Sequence, residues 1–170
     1  MSAAVSGKVA PSAKFPETPH PAMDEATITT YLTTTFPGVV VTSAEGATSF
    51  AYDPDRVPSA AVYFATLKSR DEPNDDVSQL DRPAVFRLNI ALPVEDFQRL
   101  FGPPPPPPGD DGLVETRHDF SALDRLLPHP VYAYLAWACV VSPSAATLET
   151  MKPLLARAYA LAQARYRPSA

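Results

Sequence analysis

Proline is the residue that most limits how this chain can fold, because 21 of its 170 residues are proline. Proline lacks a backbone N–H and fixes φ, so it interrupts the interior of helices and the central strands of sheets. Many of the prolines must therefore lie in tails, loops and turns. Since 45% of the residues are apolar, the remaining segments can still build a sizeable core, and the length fits a single domain.

The longest proline run is six residues, 103–108. Such a run adopts polyproline II at about 3.1 Å per residue and spans about 19 Å. A proline run can also be a docking peptide for a module with an aromatic groove. No arginine flanks this run and no second Pro-x-x-Pro repeat follows it, so we interpret it as a stiff spacer in a loop insertion at 103–118.

Composition excludes several classes of protein. No apolar run reaches the roughly 20 residues of a membrane-spanning helix, and the single cysteine, Cys139, excludes an intramolecular disulfide. The net charge of −5 removes the usual attraction to phosphate backbones, so nucleic acid is not the expected partner. We expect a soluble cytoplasmic protein without cofactor or metal, in which the Cys139 thiol is buried as a small apolar group.

The N-terminal segment, residues 1–22, has the composition of a disordered tail, with Ala, Ser and Pro and no apolar block long enough for a secretory signal. The single domain is predicted over 23–167. Turn residues and apolar spacing predict its elements in the order α-β-β-β-β-α-β-α. Helices are predicted at 24–36, 94–101 and 145–166, strands at 39–43, 49–52, 61–67, 84–92 and 134–141, and a helical turn at 119–127.

This order predicts an α+β fold with a sheet of about five antiparallel strands and helices mainly on one face. The strand at 84–92 shows why. Its alternating side chains place Leu88 and Ile90 on an apolar face and Arg87 and Asn89 on a mixed face. The C-terminal helix carries an amphipathic stripe, although Pro153 should kink it or confine it to the first turns.

The mixed face is the strongest candidate for a binding site. Arg87 and Asn89 project together from one strand, close in sequence to Asp81 and Arg82, and form a plausible anchor for a carboxylate or phosphate. Tyr63, from the preceding strand, and Trp137, from the last strand, are expected to flank them. A purely structural alternative is that Arg87 pairs with an acidic side chain, for which Asp81 and Asp124 are the candidates.

Histidine offers the only candidate for acid–base chemistry. His118 and His129 bracket the helical turn at 119–127, and histidine is the side chain whose ordinary pKa lies nearest to neutrality. No pair of histidines has the spacing of metal ligands, so no metal site is predicted. The structural alternative for the Pro-His-Pro sequence at 128–130 is a rigid loop in which the imidazole caps a backbone carbonyl.

Several motifs resemble domain-of-unknown-function family 6194. The resemblance covers about residues 24–166 and lies in the stretches at 50–54, 64–66, 81–90, 100–102 and 123–132 and at Trp137. The family name implies no activity. The resemblance marks as positions to test Arg87, Asn89, His129, Tyr132 and Trp137.

A more distant resemblance is to the MmcQ/YjbR group, in which an N-terminal helix also ends in Pro-Gly, as at Pro37-Gly38, and a C-terminal helix carries a tyrosine, as at Tyr159. The resemblance implies an antiparallel sheet with helices packed on it. Members of that group are often labelled DNA-binding, and the acidic balance of this chain opposes that label.

Three functions follow as hypotheses. The first is a non-enzymatic binding or interaction module for a small molecule, a protein or a second copy of the chain, because no catalytic dyad is visible. The second is a small hydrolase or isomerase that uses His129 or His118 with Arg87 as anion anchor. The third is DNA binding through the basic C-terminal helix.

Overall fold

The computed structural model describes residues 22–114 and 117–168. Almost all of the predicted tail, residues 1–21, lies outside them. The described residues contain three α-helices, which are α1 (Glu25–Thr35), α2 (Val94–Phe101) and α3 (Ala145–Arg165). Their strands are β1 (Val39–Ala44), β2 (Ala47–Tyr52), β3 (Val62–Lys68), β4 (Arg87–Ala91), β5 (Leu126–Pro128) and β6 (Trp137–Val141).

The strands form one antiparallel sheet in the order β1-β2-β3-β4-β6-β5. This confirms the α+β fold and the antiparallel sheet, with one more strand than predicted. The predicted helical turn at 119–127 was wrong at its end, because Leu126–Pro128 pairs with β6 as the edge strand β5. An edge position tolerates Pro128, since its missing N–H takes no part in a ladder there.

Helix boundaries follow from local chemistry. The Asp24 carboxylate caps α1 by accepting a hydrogen bond of 2.7 Å from the Thr27 amide. Gly38 ends the following turn with a φ of +75°, and a Cβ there would lie 3.0 Å from the Tyr52 ring. Ser144 caps α3 in the same way as Asp24 caps α1. The predicted start and end of both helices are confirmed within one residue.

Pro153 lies inside α3, which continues on both sides of it from Ala145 to Arg165. Of the two outcomes expected from Pro153, a kink or a restriction to the first turns of the helix, the second was wrong. Its ring is exposed, so the carbonyl group left without an intrahelical partner is on the solvent side, where water can bond it.

One face of the sheet carries the apolar core. Leu88 and Ile90 of β4 and Val140 of β6 are fully buried there. Helix α3 packs over β2, β3 and β4 on this side and contributes the predicted stripe. The buried residues of that stripe are Leu148, Met151, Leu155, Ala158 and Ala162.

Loops cover the opposite face. The segment 69–86, between β3 and β4, and the segment 129–132, after β5, both place side chains against Arg87. The described part of the predicted insertion at 103–118 contains no helix or strand. Among the described residues, no helix combines the length and the apolar character that crossing a membrane requires.

Candidate functional site

Arg87 and Asn89 lie on the same side of β4, as the alternation of the strand predicted. Across the sheet, Lys68 and Arg87 are register partners, and Asn89 lies between Thr66 and Cys139. The mixed face is not open, however. Arg87 is fully buried and Asn89 is 3% exposed, because the loops 69–86 and 129–132 cover them.

The Arg87 guanidinium is held by a carboxylate of the covering loop. Nη1 and Nη2 donate to the two oxygens of Asp75, at 2.9 and 2.6 Å. Nη1 also donates to Ser78 Oγ at 2.9 Å, and Nε donates to Asn89 Oδ1 at 2.8 Å. Arg87 therefore pairs with an acidic side chain, but the two candidate partners named from the sequence, Asp81 and Asp124, were wrong.

Lys68 extends this pair into a network of charges. Its Nζ donates to Asp75 at 2.7 Å and to Glu72 at 3.0 Å. Burial alone would raise the pKa of Asp75, but the hydrogen bonds and charges of Arg87 and Lys68 outweigh it and lower that pKa below its ordinary value. Two cations thus face two carboxylates, and the network is balanced in charge.

Asn89 is fixed in orientation by the same network. Its Oδ1 accepts from Arg87 Nε, so its amide nitrogen points away from Arg87 and donates to Thr66 Oγ1 at 2.9 Å. The carboxamide therefore serves to orient the guanidinium.

His129 is 2% exposed and reaches Arg87 from the other covering loop. Its Nδ1 accepts hydrogen bonds of 3.0 Å from the backbone amides of Val131 and Tyr132. The sequence suggested that the imidazole caps a carbonyl, and this was wrong, since it caps two amides. Burial, and then the charge of Arg87, lower the pKa of His129 well below 6.5, so the ring is neutral with its proton on Nε2.

These side chains form the floor of a cleft of about 540 Å³, hereafter the Arg87 cleft. The floor contains Arg87, Asn89 and His129, and the apolar wall contains Tyr132, Leu135 and Trp137. Tyr132 and Leu135 are about half exposed, at 47% and 54%. A cleft of this size with a few fixed polar groups and apolar walls is typical of small-molecule sites.

Cys139 lies next to Asn89, as its register partner on β6. It is buried, as predicted, and burial raises the pKa of its thiol to about 12. Its Sγ contacts the Pro128 carbonyl oxygen at 3.7 Å. A thiol with such a pKa is not a nucleophile near neutral pH.

Three residues named from the sequence lie away from the cleft. Asp81 is exposed, and its carboxylate accepts from the Asp71 amide at 3.2 Å. Arg82 donates to the Ser121 carbonyl and thereby holds the covering loop to the next segment. His118 is exposed as well. The structure therefore brings together Arg87, Asn89, His129, Tyr132 and Trp137 but not these three. Tyr63, which was expected to flank Arg87 and Asn89, does not line the cleft either.

Sequence reasoning missed Asp75, Ser78 and Lys68. The sequence does contain one signal, an acidic run at 71–81 without a basic residue, but nothing in it identifies which carboxylate turns inward. Within the described ranges, no group of three or more His, Cys, Asp or Glu side chains is arranged to hold a metal ion.

The chain belongs to the family of unknown function DUF6194, whose model matches residues 23–170. No curated protein and no solved structure matches the chain. The family membership predicted from the motifs is therefore confirmed, whereas the comparisons give no support for the more distant relation to the MmcQ/YjbR group.

Proposed function

Since the description of the family names no activity, we propose a function from the site itself: the protein is a non-enzymatic binding module that holds a small organic molecule in the Arg87 cleft. The observation that carries this proposal is the preorganised floor. Arg87, Asn89 and His129 are each fixed by hydrogen bonds to the protein before any ligand arrives. Preorganised polar groups reduce the cost of ordering that binding would otherwise incur.

The state of the titratable groups favours binding over reaction. A general base needs a free lone pair, but His129 Nδ1 is already committed to two amides and Nε2 carries the proton. Asp75 is committed to Arg87 and Lys68. A hydrolase or isomerase built on His129 would therefore lack its base, and His118 lies outside the cleft.

Ion pairs made by the basic side chains of the C-terminal helix argue against the DNA-binding alternative. Arg157 donates to Asp96 at 2.7 Å and to Glu95 at 3.2 Å, and Lys152 pairs with Glu149. The basic side chains of α3 are in part neutralised by these carboxylates. With a net charge of −5, the protein has no evident electrostatic attraction to DNA.

The sole tryptophan of the chain, Trp137, lines the cleft and reports directly on its occupation. The test is a panel of small aromatic and aliphatic fragments, screened by saturation-transfer NMR and by Trp137 fluorescence. Tyr132→Ala removes part of the wall. Tyr63→Ala is the matched control, because Tyr63 is 48% exposed, like Tyr132, and is not among the lining residues.

We expect at least one fragment to bind the wild type and Tyr63→Ala alike and to bind Tyr132→Ala about tenfold more weakly, the size expected for one lost aromatic contact. A panel in which nothing binds, or in which the two variants bind equally well, would contradict the proposed function.

A further inference from the structure

Two N–H groups on the floor of the Arg87 cleft face one another. Arg87 Nη2 donates one hydrogen to Asp75 Oδ2 at 2.6 Å, and its other side is 3.4 Å from His129 Nε2. Nε2 is not an acceptor, because a neutral imidazole whose Nδ1 accepts two amides carries its proton on Nε2. The 3.4 Å approach therefore brings two donors together and is not a hydrogen bond.

Neither donor has another partner in the described part of the chain. Arg87 uses its remaining four N–H groups on Asp75, Ser78 and Asn89, and no acceptor for His129 Nε2–H is found among residues 22–114 and 117–168. Both side chains are almost completely buried. Since a buried donor without an acceptor is costly, the pair calls for an oxygen atom that enters from the cleft.

The charges of the floor indicate what kind of oxygen this is. Arg87 and Lys68 are already balanced by Asp75 and Glu72. Asp75 also accepts from both Nη1 and Nη2, which a ligand carboxylate or phosphate would need for a bidentate contact with the guanidinium. An anion buried here would meet no unpaired cation, so no attraction would offset the free-energy cost of removing the anion from water. A carbonyl oxygen is uncharged and has two lone pairs, one for each donor.

The wall of the cleft defines the rest of the ligand. Tyr132, Leu135 and Trp137 present a largely apolar surface next to the floor. Resting on the proposed function, we infer that the cleft binds an uncharged carbonyl compound, an amide or a ketone, with a flat apolar group. Its oxygen lies between Arg87 Nη2 and His129 Nε2, and its apolar group packs against Tyr132 and Trp137.

Benzamide and benzoate distinguish an uncharged carbonyl ligand from an anionic one, because the two molecules share size and shape and differ in charge. Dissociation constants are measured at pH 7.5 by Trp137 fluorescence and saturation-transfer NMR. We expect benzamide to bind with a Kd of about 1 mM, ordinary for so small a ligand, and benzoate at least tenfold more weakly. In His129→Asn, whose carboxamide oxygen can accept from the loop amides in place of Nδ1, benzamide binding should weaken about tenfold. Tyr63→Ala should bind benzamide as the wild type does.

The comparison of benzamide with benzoate uses the wild-type protein, so it does not depend on whether a variant folds. Benzoate binding as tightly as benzamide, in a manner that Tyr132→Ala abolishes, would overturn the inferred ligand class and leave the proposed function standing. Failure of both probes, while other fragments bind in a Tyr132-dependent manner, would also overturn only the ligand class. Failure of both probes and of every fragment in the panel would overturn the two proposals together.

Discussion

The two faces of the sheet are buried by different means. On one face, α3 packs over β2, β3 and β4 and covers residues such as Leu88 and Ile90 with the apolar side chains of a regular helix. On the other face, two irregular loops cover Arg87 and Asn89, and the loop 69–86 holds the Arg87 guanidinium by a hydrogen bond to Ser78 and by an ion pair with Asp75.

The two faces differ in how closely the identity of each side chain is constrained. Apolar burial has no direction, so any well-fitting apolar side chain stabilises the helical face. Polar burial is favourable only where each donor meets an acceptor. The loop face is therefore the more sensitive to single substitutions, and its donors Arg87 Nη2 and His129 Nε2 lie in the cleft where we propose that a ligand binds.

The largest effect is expected from Arg87→Met. This substitution leaves the buried Asp75 carboxylate with Lys68 alone, and breaking a buried ion pair costs about 3–5 kcal/mol of unfolding free energy. Urea denaturation measures the loss. The double variant Arg87→Met/Asp75→Leu removes both charges and should recover at least half of it. No recovery in the double variant would show that Arg87 acts through packing and not through its charge.

A somewhat smaller loss is expected on the helical face. Leu155 of α3 is fully buried, and Leu155→Ala should cost about 3 kcal/mol through lost apolar contacts and the cavity that remains. This cost should be the same at pH 7.5 and pH 5.5, since no titrating group is involved. A loss that grows with falling pH would show that the two faces are not independent.

The smallest effect is the dependence of stability on pH that His129 causes. Its folded pKa lies well below 6.5, and the groups facing it are Arg87, Asp75 and Lys68. Above pH 6.5 both folded and unfolded states are neutral at this position. Below pH 6.5 only the unfolded state binds the proton, so stability falls by up to about 1.4 kcal/mol per pH unit.

Urea denaturation of the wild type and of His129→Asn between pH 7.5 and 5.5 isolates this contribution. At pH 5.5 the wild type should have lost up to about 1.4 kcal/mol more than the variant, relative to pH 7.5. Asp75, whose pKa is lowered, contributes its own loss only in more acidic solution. Parallel pH profiles for the two proteins would mean that His129 takes up a proton in the folded state.

Periodic features of this fold could be predicted from the sequence. The alternation in β4 placed Leu88 on one face and Arg87 on the other, and the stripe in α3 identified its buried side. Both predictions depend on a repeat of two residues in the strand or 3.6 residues in the helix. This repeat is the same whichever element packs against the strand or the helix. The strand β5 was missed because three residues are too few to show a period.

The chemistry of the site could not be predicted in the same way. Asp75 reaches Arg87 from an irregular loop, and loops carry no period that indicates which side chain turns inward. The role of His129 depends on two backbone amides of its own loop. The residue types of an irregular loop do not indicate where its backbone amides point. The motifs did identify Arg87, Asn89 and His129 as residues to test. They did not indicate which N–H groups of these side chains face the cleft.

The proposed site requires that His129 stays neutral, with its proton on Nε2 facing Arg87. Two-bond ¹H–¹⁵N correlation NMR of the histidine rings between pH 7.5 and 5.5 measures this protonation state, with His129 assigned by its absence in His129→Asn. We expect an Nε2–H ring that does not titrate near pH 6.5. An Nδ1–H ring, or titration near the pKa of 6.5 of free histidine, would contradict it.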